Sequence, residues 1–411
     1  MSIIKVPFKR YFLFYIKNVI ITMVIDMEKV KQIKLGRTNI ICGELGMGCE
    51  GFTKVSEIEA KEMIDLALSK GMNFIDLYAS SPKTRANIGK AIKNRRNEIY
   101  IQGHLCTIWK DEQYKRTRDI NETISSFNDL LFKLDTDYID VGMIHYIDEE
   151  KDYQEVFNGE IIKYAIKLKE EGKIKYIGIS SHNPLVAKKA ALSGIIDVIM
   201  FSVNPCYDLL PPSEDCDILW DPSSYEDSKN YFDKDRIDFY DTCEKEGVAI
   251  TVMKAFAGGD LLSDELSPFK KAMTPTQCIN YCLTRPCVKV VLAGFHNIEE
   301  EKRDLEYINA SDQDKDFSNV LNNSPKFSFD GHCVYCGHCA PCPKAIDIAS
   351  VNKYLDLCVA QEEVVETVLD HYELLSHHAS ECIKCGKCEL RCPFNVRIRE
   401  KMEKAKEIFG K

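Results

Sequence analysis

Short apolar runs alternate with amphipathic stretches between about residues 31 and 310. Eight runs stand out: NIICGEL (39–45), NFIDLY (73–78), IYIQGH (99–104), YIDVGMIH (138–145), IKYIGIS (174–180), DVIMFSVN (197–204), VAITVMKA (248–255) and VKVVLAG (288–294). Continuous apolar runs of this length, each followed by apolar positions at three- and four-residue spacing, predict repeated βα units around a parallel sheet. Eight such strands close most naturally into a (β/α)8 TIM barrel. The first helix shows the logic. Ser56 can cap it with Glu59 three residues on, Ala60, Met63, Ile64, Ala67 and Leu68 share one face, and Gly71 stops it. The phrase recurs where Ile162, Ala165 and Ile166 lead to Gly172 and the next strand.

Three stretches break this rhythm. The segment between Cys206 and Arg236 is rich in Asp, Ser and Pro and follows a barrel strand, so it is expected on the active-site face as a lid. After Ala310 the chain turns polar, which marks a boundary between a barrel over 31–310 and a mainly helical module over 318–411. Residues 1–30 form an N-terminal extension with a basic start and an apolar body. Lys17 and Asn18 interrupt it and no small-residue cleavage site follows, so no membrane span is expected, and a start at Met23 or Met27 is the preferred reading.

The module carries the clearest chemistry. HCVYCGHCAPCP places Cys333, Cys336, Cys339 and Cys342 at intervals of three, and ECIKCGKCELRCP places Cys382, Cys385, Cys388 and Cys392 similarly, each run ending in Cys-Pro. Paired thiolates at this spacing also suit zinc. Two tandem runs closing on Cys-Pro fit two [4Fe-4S] clusters better, and in two-cluster ferredoxins the last cysteine of each run serves the other cluster. That arrangement groups Cys333, Cys336 and Cys339 with Cys392, and Cys382, Cys385 and Cys388 with Cys342. Some forty residues of helical pattern between the runs make this a helical ferredoxin-like variant. Cys358 has no partner at ligand spacing and reads as a core thiol.

Composition narrows the setting. The 411 residues are 45% hydrophobic and 29% charged with a net charge of −10, which is globular and opposes binding to nucleic acid. Eighteen cysteines grouped at ligand spacing point to metal ligation in a reducing cytoplasmic compartment. Cys42, Cys49, Cys106 and Cys206 fall near strand ends that could meet at the barrel mouth, although scattered thiols are usually core.

Residues 31–305 resemble the aldo/keto reductase family through KLGRTNI, GMNFIDLY with IGKAI, DYIDVGMIH, GKIKYIGISSHN, GVAITVMKAFAGG and VVLAGFHNIEE in order. With the cysteine runs, the chain is similar to that family's iron–sulfur members. The resemblance implies a site in which a Tyr protonates a carbonyl, a Lys and an Asp tune it, a His orients the substrate and a nicotinamide delivers hydride. Asp76 and His145 occupy the Asp and His positions. The Tyr position falls on Ser81 and the Lys position on His104, so Tyr78 substitutes only if its loop turns the phenol inward, and His104 is a proton-donor candidate. Ser180, Ser181 and Asn183 match the residues holding the nicotinamide amide, and Gly258, Gly259 and Gly294 the phosphate loops. No basic residue for a 2′-phosphate follows Gly294, and Glu299, Glu300 and Glu301 would repel one. The expected protein is an oxidoreductase relaying electrons between its clusters and a carbonyl-type substrate or an NAD(P)H or flavin cofactor, partnered by a ferredoxin-like or flavodoxin-like carrier. The alternative is an electron-transfer or regulatory protein with a non-catalytic barrel.

Overall fold

The computed structural model describes residues 10–16, 19–25, 29–219, 224, 233–322, 331–361, 364 and 366–411. Eight parallel strands form a closed barrel: β1 (Leu45–Gly48), β2 (Phe74–Leu77), β3 (Tyr100–Leu105), β4 (Ile139–Ile144), β5 (Ile174–Ser181), β6 (Val198–Ser202), β7 (Ala249–Met253) and β8 (Val288–Gly294), with β8 pairing back onto β1. Helices α1 (Glu57–Ser69), α2 (Pro82–Ala91), α3 (Ile120–Leu134), α4 (Glu160–Glu170), α5 (Pro184–Leu192), α6 (Lys234–Glu246), α7 (Pro275–Thr284) and α8 (Ile298–Leu305) surround it. Among the described residues no helix is long and apolar enough to cross a membrane.

The first apolar run is displaced from its predicted role. Ile41–Gly43 pairs antiparallel with Gln32–Lys34, and the barrel strand starts only at Leu45. The hairpin closes the barrel's N-terminal end, where Leu35, Ile40 and Cys42 pack against the inward Phe74, Val141, Met143, Val198, Ala249 and Val290. Cys42 therefore sits at the end opposite the mouth. Apolarity marked its burial, but period alone does not separate a plug strand from a barrel strand.

Local signals behave as their chemistry requires. Ser56 Oγ accepts from the Glu59 amide at 3.2 Å, and Gly71 and Gly172 take φ of 78° and 73° after their helices. The polar segment after Ala310 is packed rather than loose. Phe317 is fully buried against Tyr281, and Gln277 and Asn280 of α7 donate to the carbonyls of Asp316 and Lys315.

The C-terminal module contains α9 (Ile348–Gln361), α10 (Glu366–Glu373), α11 (Lys387–Arg391) and α12 (Ile398–Phe409). It docks on the barrel's outer face against α6 and the turn from α7 into β8. Buried Arg285 donates to the Val334 carbonyl at 2.7 Å with its guanidinium over the Tyr281 and Tyr335 rings, His371 pairs with Glu244 at 2.9 Å, and His338 with Asp316 at 3.3 Å.

Gly89 tests the helix packing. A Cβ there would lie 2.3 Å from the Lys133 carbonyl oxygen and 2.9 Å from Leu134 Cα, backbone atoms that cannot swing aside. Gly89→Ala should cost about 1–3 kcal/mol despite alanine's better helix propensity, because overpacking outweighs it. The readout is a melting temperature lowered by several degrees; an unchanged or raised value contradicts the close α2–α3 contact.

Candidate active site and thiol cluster

Inward positions of a barrel strand recur every second residue, so a short alternation sets both the core and the mouth. Phe74 fills the lower layer and Asp76 is the next inward residue on β2. Gln102 and His104 follow one another on β3. Val141 and Met143 lead to His145 at the end of β4. The upper layer is thus polar and enclosed, and its groups must bond to one another.

They do so in a line. His104 Nε2 lies 3.0 Å from Asp76 Oδ1, His104 Nδ1 lies 2.7 Å from His145 Nδ1, and His145 Nε2 lies 2.9 Å from the Tyr114 hydroxyl. Gln102 also donates to Asp76 Oδ1 at 2.7 Å, its own carbonyl accepting from Thr251 at 3.2 Å. One assignment satisfies every atom with both imidazoles neutral: Tyr114 donates to His145 Nε2, His145 Nδ1–H to His104 Nδ1, and His104 Nε2–H to the Asp76 carboxylate. Burial pushes His145 well below the ordinary imidazole range, and His104, Arg118 and His182 push it further.

Tyr114 and Arg118 carry no sequence signal of their own. Tyr114 stands on a hairpin (Thr107–Lys110 with Gln113–Arg116) that follows β3 and folds over the mouth. Arg118 donates to the carbonyls of His145 and Tyr146 at 3.0 and 2.7 Å and pairs with Asp152, which fixes the chain just past His145. Cys106, one residue beyond β3, and Tyr146, two beyond β4, adopt left-handed backbone with φ of 65° and 54°. Such conformations persist in non-glycine residues where the surroundings enforce them.

Tyr78 does turn inward. Its ring stacks on His145 at 5.8 Å and 7° and meets Tyr114 edge-on at 5.3 Å. Burial and the Glu50 carboxylate raise its phenol above the usual value. Ser81 caps α2, its Oγ accepting from the Thr84 amide at 3.3 Å.

The nicotinamide-matched residues are bonded internally. Ser180 Oγ accepts from the Tyr146 amide at 2.8 Å, Ser181 donates to Asp148 at 2.8 Å, and Asn183 donates to the Asp148 carbonyl at 2.9 Å while capping α5. Burial acts to raise the Asp148 carboxyl, but hydrogen bonds from His182 and Ser181 outweigh it and hold it below the usual range. Gly258 and Gly259, after β7, take φ of 70° and 108°, and a side chain at Gly259 or Gly294 would meet open space, so these loops offer bare backbone at the mouth. The first turn of α8 is acidic. Glu299 pairs with Lys302, Glu300 accepts from the His296 amide, and Glu301 is fully buried with neither carboxylate oxygen hydrogen-bonded.

Cys49, Cys106 and Cys206 are buried, as is Cys358 in α9. The opening of the 206–236 insertion lies over the mouth. Leu209 and Leu210 are buried, Glu214 accepts from the Glu150 amide, and the Tyr146 hydroxyl bonds Cys216 at 2.9 Å. Residues 220–223 and 225–232 of the expected lid lie outside the described residues.

In the module, Cys342 joins Cys382, Cys385 and Cys388 around one cavity, although forty residues separate it from Cys382. Burial raises the Cys336 thiol to about 12, with Cys333 and Cys392 among the neighbours adding to it. Amides of Lys344 and Lys384 approach the Cys342 and Cys382 sulfurs at 3.4 Å, and Asn352 approaches Cys333 at 3.4 Å. Among the described residues no three His, Cys, Asp or Glu side chains converge on one metal ion.

Residues 39–293 match the aldo/keto reductase family, and residues 376–398 a 4Fe-4S binding domain. The uncharacterized oxidoreductase YqkF of Bacillus subtilis is 26% identical over 298 residues, 68% of this chain and 92% of that protein. Methylglyoxal reductase DkgA of Escherichia coli O157:H7 is 32% identical over 157 residues, 37% of this chain and 50% of that protein. The holo form of aldo-keto reductase AKR11C1 from Bacillus halodurans superposes with a TM-score of 0.55 at 23% identity, over 72% of this chain and 97% of that one.

Burial and Asp304 raise the Glu301 carboxyl to about 8 from an ordinary value of 4.5. The folded protein then binds this proton more tightly than the unfolded chain. The resulting stability is complete below about pH 4.5 and is lost as pH rises towards 8. Glu301→Gln should therefore raise the melting temperature at pH 8.5 more than at pH 5, and a pH-independent difference contradicts the buried, unpaired carboxyl.

Proposed function

Because this chain belongs to the aldo/keto reductase family and carries a 4Fe-4S binding domain, we propose that two [4Fe-4S] clusters connect its barrel to an external electron carrier, serving the conversion of a small carbonyl-type substrate. One observation carries this reading. The first cysteine run is bonded into the barrel through Arg285 and the Val334 carbonyl, whereas Cys385 of the second is exposed, so the module has an inner and an outer end. The inner end lies against α6 and the α7–β8 turn, in the sector whose upper loops carry Gly258, Gly259 and Gly294.

Cys342, Cys382, Cys385 and Cys388 would hold the outer cluster, and Cys333, Cys336, Cys339 and Cys392 the inner one. The shared cavity of the first set supports the crossed grouping, and the N–H groups aimed at sulfur suit thiolates rather than thiols. Such clusters supply one-electron transfer. A barrel cofactor able to exchange two electrons for single ones is a flavin. The residues present do not favour a nicotinamide dinucleotide phosphate: Ser181 and Asn183 are already bonded to Asp148, and α8 opens on Glu299 and Glu300 with no basic residue beside Gly294.

The chain's own residues handle the proton. Tyr114 exchanges a proton with a substrate oxygen at the mouth: to donate, its single hydroxyl hydrogen turns from His145 Nε2 to the substrate, and the hydrogen bonds of the line reverse behind it so that His145 Nε2–H donates to the phenol oxygen. His145, which burial keeps neutral, passes a proton between its two nitrogens, and His104 continues the line to the Asp76 carboxylate. Tyr78 packs the imidazole from the side. Replacing Tyr114 with Phe should lower turnover by roughly 10²–10⁴-fold and Tyr78→Phe by far less; equal losses, or a larger one at Tyr78, assign the proton to Tyr78 instead.

Anaerobic purification tests the whole reading. The protein should hold about eight irons with an absorbance bleached by dithionite, and Cys385→Ala about four. Calorimetry should show FMN binding. Zinc in place of iron, or full iron in Cys385→Ala, rules out the assignment, and no interaction with FMN removes the flavin.

A further inference from the structure

We propose that the face around Cys385 is the docking surface for a small acidic electron-carrier protein. This deepens the preceding reading and rests on the thiols there holding a cluster. Cys385 alone among the eight ligand candidates is exposed. Beside it Ile383 and Leu390 stand 56% and 89% exposed, an apolar area that a docking partner would desolvate next to the redox centre.

The surrounding charge selects the partner. Lys344, Lys384 and Lys387 each lie within two residues of a candidate ligand, and Arg391 and Arg399 line the thiol cavity itself. Residues 382–411 hold nine Lys and Arg against four Glu, an excess of five positive charges in a chain whose net charge is −10. Glu403 pairs with Lys384 and Glu389 with Arg399 within this stretch, and Asp356 and Glu373 from outside it pair with Lys401 and Lys411, so three of the five excess charges remain. A negatively charged carrier is repelled by the molecule at large and attracted at this pole, which orients the encounter as well as speeding it. The thiols of the first run are half-buried or buried, and none is as exposed as Cys385.

The test uses the full-length, iron-replete protein reduced with dithionite and mixed with oxidised acidic flavodoxin. One electron leaves the reduced cluster and enters the flavin of the acceptor. Steering predicts a rate that falls about tenfold or more as salt rises from low to near-physiological strength and beyond. Lys384→Glu with Lys387→Glu should reproduce that loss at low salt, and Lys61→Glu on α1 should not. If the double variant fails to retain iron, Arg397→Glu with Lys404→Glu, further from the thiols, replaces it. A transfer rate indifferent to salt and to charge reversal overturns the docking surface while leaving the clusters standing. So does salt sensitivity seen only with a basic c-type cytochrome. Protein that binds no iron overturns the cluster reading and this one together.

Discussion

The strands of a closed barrel present one residue inward and the next outward, and little of this molecule escapes that constraint. Phe74, Val141, Met143, Val198, Ala249 and Val290 use the lower inward positions for packing, and the hairpin bearing Leu35 and Ile40 seals them from below. The next inward positions receive Asp76, Gln102, His104 and Thr251, where side chains are neither solvated nor apolar. A shift of one residue in β3 would send His104 outward and bring Gly103 in, dismantling core and site together.

Enclosure then dictates connectivity. A buried carboxylate without partners costs several kcal/mol, so Asp76 draws Gln102 and His104 to the same oxygen. His104 presents its remaining nitrogen to His145, and His145 presents its own to Tyr114. The directional line of hydrogen bonds is thus a consequence of satisfying buried groups, and its open end is a phenol at the mouth. The imidazole of His104 has a second nitrogen, and that nitrogen extends the line to His145.

Local spacing made much of this legible in the sequence. The Ser56 cap, the Gly71 and Gly172 stops and seven of the eight strands follow from patterns spanning fewer than ten residues. Asp76, His104 and His145 were named from the resemblance rather than from spacing, and the structure places the three within one line of hydrogen bonds. The first strand did not follow from such patterns, since Ile41–Gly43 is as apolar as a barrel strand and differs only in its tertiary partner. Tyr114 was invisible for a related reason. It sits on a polar hairpin with no period of its own, and only the closure of β3 beside β4 brings that hairpin over His145. The cavity shared by Cys342 and the second run likewise depends on α12 folding back, through Arg399 and Met402, against Cys388 and its neighbours.

The ring order adds a final constraint on the proposed reaction. In an eight-stranded ring β3 and β7 stand four strands apart, on opposite walls. The imidazole line belongs to β3 and β4, and the module packs on α6 and the α7–β8 turn that flank β7. In the proposed reaction protons therefore reach a substrate at the mouth from one wall while electrons arrive through the other. The carboxylates of Asp148, Glu299 and Glu300 bond Ser181, Lys302 and the His296 amide, all outside the imidazole line. Separation of this kind keeps the imidazole line and the proposed electron path from sharing a hydrogen bond.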